Sequence, residues 1–161
     1  MAKSSKNKKD KVLILWDETA YMVKADRILQ YLLVDAELAH DDYELVKTPM
    51  PKGKKYGKRE LPELQEWFSD TLEEYDYRYV VVMGSNSYMA MTGAAGIKKA
   101  RGKPIEYQGH IVLPMYHPNM VVHDEGNLSI LENDFGRLKE VLEFGGIPEE
   151  RELDFEIVVT W

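Results

Sequence analysis

The chain has 161 residues and a formal net charge of -7; 44% of its residues are hydrophobic and 30% are charged. A chain of this size can build one hydrophobic core and hardly two, so we expect one domain. Because the sequence contains no cysteine, it excludes disulfides, thiolate zinc sites, iron–sulphur clusters and cysteine nucleophiles.

The amino-terminal segment is polar, with five lysines in its first eleven residues and no apolar core of a signal peptide. No later apolar run has the length needed to span a bilayer. We therefore expect a cytoplasmic protein without membrane contact. Residues 1–10 are predicted to form a flexible basic tail in front of a domain that spans 11–147.

Short apolar runs alternate with amphipathic segments along the domain. Strands are predicted over residues 11–16, 43–47, 79–83 and 110–113, and helices over 25–38, 61–75, 87–91 and 131–144. Strands that alternate with helices form a parallel sheet that is covered on both faces. The sequence therefore predicts an α/β protein, a three-layer α/β/α sandwich with a central, mainly parallel four-stranded sheet. Residues 148–161 are expected to be a linker and an extra strand that leads into a further domain.

Positive charge is concentrated in the tail and in two glycine-containing segments, residues 52–59 and 98–103. Charged runs are commonly solvated surfaces, and each segment could be one. Two basic loops beside one sheet edge would instead line a groove that attracts a polyanion. On this second interpretation, the side chains that contact DNA are Lys54, Lys55, Lys98, Lys99 and Arg101.

The predicted strand at 79–83 ends in a Gly84-Ser85 turn that opens a helix. Free backbone N–H groups at such a turn bind anions, although a Gly-Ser turn can also simply cap its helix. The strand at 110–113 continues into His117-Pro118 at the same end of the sheet. Together these features predict a pocket for a nucleotide or a nucleic-acid phosphate.

Residues from about 80 to 142 resemble the carboxyl-terminal half of the uracil-DNA glycosylase superfamily, especially its thermophile-type class. The similar features are a buried strand ending in Gly84, a helix ending in Gly93, the Arg101-Gly102 loop, the His117-Pro118 motif and an Asp, Asp134, near the start of the last helix. The class also binds an iron–sulphur cluster through four cysteines, which this sequence lacks. We accordingly expect no cofactor and no metal.

The resemblance implies a base-binding site with altered chemistry. Its implied residues are His117 as neutral donor to the base oxygen, Asp17 or Glu18 as water-positioning carboxylate, a base pocket of Tyr21, Glu44 and Asn119, and His123 as a DNA contact. Where the family has an asparagine that reads uracil, this chain has Glu44, and an ionised glutamate cannot donate to a carbonyl. Asp17 and Glu18 could equally be caps or solvated residues, and Tyr21 could pack in the core.

Phage DNA polymerases of the bacterial polymerase I type can carry a glycosylase-like domain in front of their proofreading exonuclease. Residues 154–160 are similar to the strand that leads into such an exonuclease. This implies a DNA-binding accessory domain of a phage replication polymerase, in the host cytoplasm, with reduced or absent base excision. Its partners would be single-stranded DNA or duplex DNA with a flipped base, and polymerase domains of the same chain. The alternatives are an active monofunctional uracil-DNA glycosylase, which hydrolyses the N-glycosidic bond, and a protein-interaction module without DNA contact.

Overall fold

The computed structural model of the protein describes residues 10–20, 22–53 and 55–148. Four features expected from the sequence lie outside these residues. They are most of the basic tail, the extra strand at 155–161, Tyr21 and Lys54.

One five-stranded sheet organises the described chain. Its strands are β1 (Val12–Asp17), β2 (Tyr43–Thr48), β3 (Tyr79–Met83), β4 (Ile105–Tyr107) and β5 (His110–Met115). The strand order is β2-β1-β3-β5-β4, and every neighbouring pair is parallel except the antiparallel pair of β4 and β5. The predicted α/β fold with a mainly parallel sheet is thus confirmed.

Six α-helices and one 3-10 turn lie wholly within the described residues, and the last two helices follow the last strand. The helices are α1 (Met22–Asp35), α2 (Leu61–Tyr75), α3 (Ser85–Thr92), α4 (Ile97–Ala100), α5 (Asn119–His123) and α6 (Asn127–Phe144), and the 3-10 turn is His40–Asp42. None of these described helices has the length and apolar character needed to cross a membrane.

Both faces of the sheet are buried, which explains why its central strands are continuous apolar runs. Successive side chains of a strand point to opposite faces. In β1, Val12, Ile14 and Trp16 pack with residues of α1 and α6 on one face. Leu13 and Leu15 pack with residues of α2 and α3 on the other. The two separate cores show that helices cover the sheet on both sides.

The prediction of four strands was wrong, because β4 was missed. This strand has only three residues and is largely exposed, with Ile105 at 38%, so it carries no apolar run to detect. It pairs with β5 through a two-residue turn at Gln108 and Gly109, whose φ angles are +48° and +86°. Two successive positive φ angles identify a tight hairpin turn in which glycine is strongly favoured. The Gln-Gly dipeptide was the available signal.

Two short helices were also missed, and α1, α3 and α6 begin two to four residues earlier than predicted. Helices α4 and α5 have four and five residues, too few for a detectable period. Helix α6 begins at Asn127 rather than at Leu131. Its first turn contains the partly buried Leu128, which packs against the core beside α1.

The carboxyl ends of the parallel strands meet at one edge of the sheet, which we call the carboxyl edge. Asp17 at the end of β1 pairs in register with Thr48 at the end of β2. Met83 at the end of β3 pairs with Met115 at the end of β5. The segments that follow these four strands therefore gather at the carboxyl edge, where ligands bind in open α/β sheets.

Candidate functional site

The carboxylate of Asp17 binds the amino-terminal end of α3. It accepts hydrogen bonds from the backbone N–H of Asn86 (3.0 Å), from the backbone N–H of Ser87 (2.7 Å) and from the Ser87 hydroxyl (2.7 Å). The N-cap position of α3 is occupied by Gly84, which has no side chain to bind these amides. Asp17 thus caps α3 from a different strand, and its negative charge lies at the positive end of the helix dipole.

Gly84 is fitted to this contact. A Cβ atom at this position would lie 2.3 Å from Oδ2 of Asp17. The backbone φ of +113° is also one that residues with side chains rarely adopt. Glycine is therefore required here both by the backbone conformation and by the carboxylate beside it.

A buried hydroxyl chain extends the network to β2. Oγ1 of Thr48 lies 2.6 Å from Oγ of Ser87. Because the Ser87 hydroxyl donates its hydrogen to Asp17, the Thr48 hydroxyl donates to Ser87. Burial raises the pKa of Asp17, and the hydrogen bonds from Ser87 and Asn86 act in the opposite direction.

His117 lies beside Asp17 and is also held by the protein on both ring nitrogens. Its Nε2 donates to the main-chain carbonyl oxygen of Asp17 (2.7 Å), and its Nδ1 accepts from the backbone N–H of Asn119 (3.0 Å). The ring stacks on Trp16 with a centroid distance of 5.5 Å and an interplanar angle of 14°. Burial lowers the pKa of His117 to about 4, so the imidazole is neutral at pH 7.

A pocket of about 480 Å³ opens at the carboxyl edge above these two residues. It brings together seven of the residues predicted from the sequence: Asp17, Gly84, Ser85, Lys98, His117, Asn119 and His123. The sequence analysis missed four further wall residues, Thr19, Ile97, Tyr116 and Met120. All four adjoin predicted residues in the chain, so proximity to Glu18, Lys98, His117 and Asn119 was the available signal.

The side chain of Asn119 contributes a buried polar group to the pocket wall. Its Nδ2 donates to Oγ1 of Thr19 at 2.6 Å. Its Oδ1 is buried and has no hydrogen-bond partner among the described residues. A buried acceptor without a partner is costly, and a ligand that donates a hydrogen bond would relieve that cost.

Besides Arg101, four predicted residues of the described chain do not line the pocket. Glu18 is exposed, and its backbone N–H donates to the carbonyl of Thr48. Glu44 pairs in register with Leu13, so it lies near the amino ends of the strands, away from the carboxyl edge. The other two, Lys55 and Lys99, are exposed on the β2–α2 loop and on α4.

Arg101 is held in an internal ion pair. Its Nη1 lies 2.8 Å and 2.9 Å from the two carboxylate oxygens of Asp134, which is 1% exposed. The guanidinium also lies 5.7 Å from the ring centre of Tyr116. Burial raises the pKa of Asp134, and the Arg101 charge opposes that shift. Arg101 therefore fixes its loop to α6.

Among the described residues, no group of three or more metal-binding side chains occurs.

No protein-family model matches the chain. The chain is 27% identical over 124 residues to a DNA polymerase of Bacillus phage SP01, and the aligned segment covers 74% of this chain and 13% of the polymerase. The chain thus spans only a small part of the length of this relative.

Replacing Gly84 by alanine should destabilise the fold more than the same change at Gly109. Both glycines have positive φ, but a Cβ at Gly109 would meet no atom within 4 Å, whereas one at Gly84 would collide with Asp17. We expect Gly109→Ala to lower the free energy of unfolding by about 1 kcal/mol and Gly84→Ala by about 3 kcal/mol. Urea denaturation followed by circular dichroism measures both. Equal losses would mean that Asp17 moves aside at little cost.

The stability of the fold should fall with decreasing pH because of His117. Between its unfolded pKa of 6.5 and its folded pKa of about 4, the unfolded chain binds more protons at this residue, so the free energy of unfolding decreases as pH falls through that range. The pKa difference corresponds to about 3 kcal/mol.

The matched variant for this measurement is His117→Gln, which stays neutral and should lack this loss. The raised pKa of Asp17 has the opposite effect on stability, because it lowers the free energy of unfolding as pH rises above 3.8. This effect of Asp17 is present in both proteins. The difference between the two pH profiles of urea denaturation therefore isolates His117. Parallel profiles would contradict the expected pKa.

Proposed function

We propose that the chain is a glycosylase-like accessory module of a phage DNA polymerase that holds DNA at its carboxyl edge, with base excision reduced or absent. One observation carries this proposal. Residues from β1, the β3–α3 turn, α4 and the β5–α5 segment converge on a single pocket. The similarity to a phage DNA polymerase and the resemblance to the uracil-DNA glycosylase superfamily both support a DNA ligand.

The pocket suits a nucleotide unit of a DNA strand. Its volume of about 480 Å³ falls in the usual range for small-ligand sites. Ile97, Tyr116 and Met120 provide apolar wall for a planar base, while Lys98 on α4 supplies a cation for a phosphate. The acidic net charge of the whole chain does not oppose this, because phosphate binding depends on the local cations.

The contacts of Asp17 and His117 favour holding a base over excising it. Hydrolysis of the glycosidic bond requires a carboxylate that positions water and a donor that stabilises the departing base. The Asp17 carboxylate already accepts three hydrogen bonds from α3, and both ring nitrogens of His117 have partners within the protein. Excision would require at least one of these contacts to break.

An active monofunctional glycosylase is the second candidate, because the pocket contains both groups that it needs. In this reaction water attacks C1′, the bond from C1′ to the base breaks, and the base leaves with the bonding electrons. The neutral His117 would have to turn its Nε2–H from the Asp17 carbonyl to the base oxygen. Asp17 would have to accept a hydrogen bond from the attacking water.

The decisive test of excision is a single-turnover incubation, at protein excess, with uracil-containing single-stranded and duplex oligonucleotides, followed by alkali. We expect no abasic product, because Asp17 and His117 are engaged within the protein. Strand cleavage that disappears in His117→Ala would contradict this and establish the glycosylase. Cleavage that persists in that variant would point to a contaminating enzyme, and a fresh preparation would be assayed.

Binding should depend on Lys98. We expect Lys98→Ala to weaken binding of a dye-labelled single-stranded oligonucleotide several-fold and to reduce the slope of log affinity against log salt by about 0.7, the value for one lost phosphate contact. Fluorescence anisotropy between about 50 and 200 mM salt measures both quantities.

The matched control for Lys98→Ala is Lys139→Ala. Lys139 lies on α6 in a surface ion pair with Glu37 (2.7 Å), outside the pocket. Its substitution should therefore leave the oligonucleotide affinity unchanged. Equal effects of the two substitutions would contradict a role of the pocket in DNA binding. An absence of salt-dependent binding by the unaltered chain would favour the protein-interaction module.

A further inference from the structure

A second cavity, which we call the loop groove, lies between the β2–α2 loop and α2. Its volume is about 270 Å³, and its walls include Pro49, Met50, Lys52, Tyr56, Leu64 and Trp67. The loop starts directly after Thr48, the last residue of β2. The groove therefore belongs to the same carboxyl edge of the sheet as the pocket.

Five of the eight residues that line the loop groove are apolar or aromatic. Leu64 is buried at its base, whereas Tyr56 and Trp67 are only partly buried. Met50 is 50% exposed, although it is a large apolar side chain. Partly exposed aromatic rings beside an exposed methionine form a surface on which a planar group can stack.

The groove is preformed by hydrogen bonds within the loop. The hydroxyl of Tyr56 donates to the carbonyl oxygen of Pro49. The carboxylate of Glu60 accepts from the backbone N–H of Gly57 (3.1 Å) and of Lys52 (3.4 Å). These bonds hold Tyr56 in place, and they engage the Glu60 charge in shaping the loop.

The loop beside the groove is strongly basic. Its exposed cations among the described residues are Lys52, Lys55, Lys58 and Arg59. The groove itself also contains Glu63, an exposed carboxylate that can accept hydrogen bonds from base amino groups and would repel phosphate. This distribution suits a ligand whose uncharged, planar part enters the groove while its anionic part lies along the loop.

The loop groove and the pocket are neighbours. The pKa of Tyr56 is raised by burial first and then by the charges of Glu60, Asp17 and Glu18. Asp17 lines the pocket, and its carboxylate accepts hydrogen bonds from Ser87. The buried contact from Thr48 to Ser87 joins the start of the loop to the same network.

We propose that the loop groove is a second base-binding site for single-stranded DNA, in which a base stacks on Trp67 and Tyr56 and the flanking phosphates contact the loop lysines. This inference rests on the proposed function and makes it more specific. The ligand is a single strand that crosses the carboxyl edge, with one nucleotide in the pocket and another in the groove. A duplex does not fit this arrangement, because its bases are stacked and paired.

The test compares two dye-labelled probes of equal length, oligothymidylate and an oligonucleotide of abasic spacers, in anisotropy titrations with the full chain. Trp67→Leu keeps apolar contact with the core but removes the stacking surface. We expect it to weaken oligothymidylate binding about tenfold, because the base loses its aromatic stacking partner, and to leave binding of the abasic probe unchanged. The matched control is Tyr31→Leu, which removes a 47% exposed aromatic ring on α1 and should change neither affinity.

A charge variant tests the phosphate half of the inference. Lys52→Gln should weaken both probes alike, because both have phosphates, and should lower the salt slope by about 0.7. Lys139→Gln serves as its control on α6. If Lys52→Gln discriminates between the probes, or leaves both affinities and the salt slope unchanged, the assignment of phosphates to the loop is overturned.

A fluorescence measurement covers the case in which Trp67→Leu does not fold. Oligothymidylate should quench part of the tryptophan emission of the unaltered chain, and Trp67→Phe should remove that part. Absence of quenching at saturating probe would overturn the groove as a stacking site.

The outcomes separate this inference from the proposed function. If folded Trp67→Leu binds oligothymidylate as the unaltered chain does while Lys98→Ala weakens it, the groove is not a base site and the pocket stands. If the unaltered chain binds no oligonucleotide, both proposals fail.

Discussion

The contact between the Asp17 carboxylate and the amino-terminal end of α3 determines how the carboxyl edge is built. It joins the last residue of β1 to the helix that follows β3, and through Ser87 it reaches Thr48 at the end of β2. The main-chain carbonyl of the same residue accepts from His117, which follows β5. One residue thus connects the segments after all four parallel strands, and Gly84 leaves the space that it needs.

This contact also determines which ligand groups the pocket can accept. A free helix amino terminus attracts anions, but here an internal carboxylate accepts from the amides of Asn86 and Ser87 in the first turn of α3. A phosphate at this point would meet the negative charge of Asp17, which already engages the backbone N–H groups of Asn86 and Ser87. The floor of the pocket therefore favours an uncharged group, and phosphates are better placed at the rim near Lys98 or along the basic loop. In the proposed complex, a DNA base inside the pocket and the phosphate backbone at its rim would satisfy both conditions.

The sequence predicted the parallel strands because each is a continuous apolar run, a pattern that burial on both faces imposes. It missed β4, which is short and exposed and whose signal was a two-residue turn. It left Asp17 and Glu18 as alternatives because the predicted strand stopped at Trp16. Extended by one residue, the alternation of β1 places Asp17 on the same face as Leu13 and Leu15, the face that carries α3. The position of Glu44, near the amino ends of the strands, follows from the strand register, and sequence patterns do not contain that register.

Stability and chemistry compete at this edge. A buried carboxylate and a buried imidazole each lose hydration, and each recovers part of that cost by hydrogen bonds to neighbouring backbone and side chains. The same bonds withdraw the carboxylate from water and the imidazole from any bound base. Weakening them would free the reactive atoms but would also loosen β1, α3 and β5 from one another. The hydrogen bonds that stabilise this edge are therefore the same bonds that base excision would have to break.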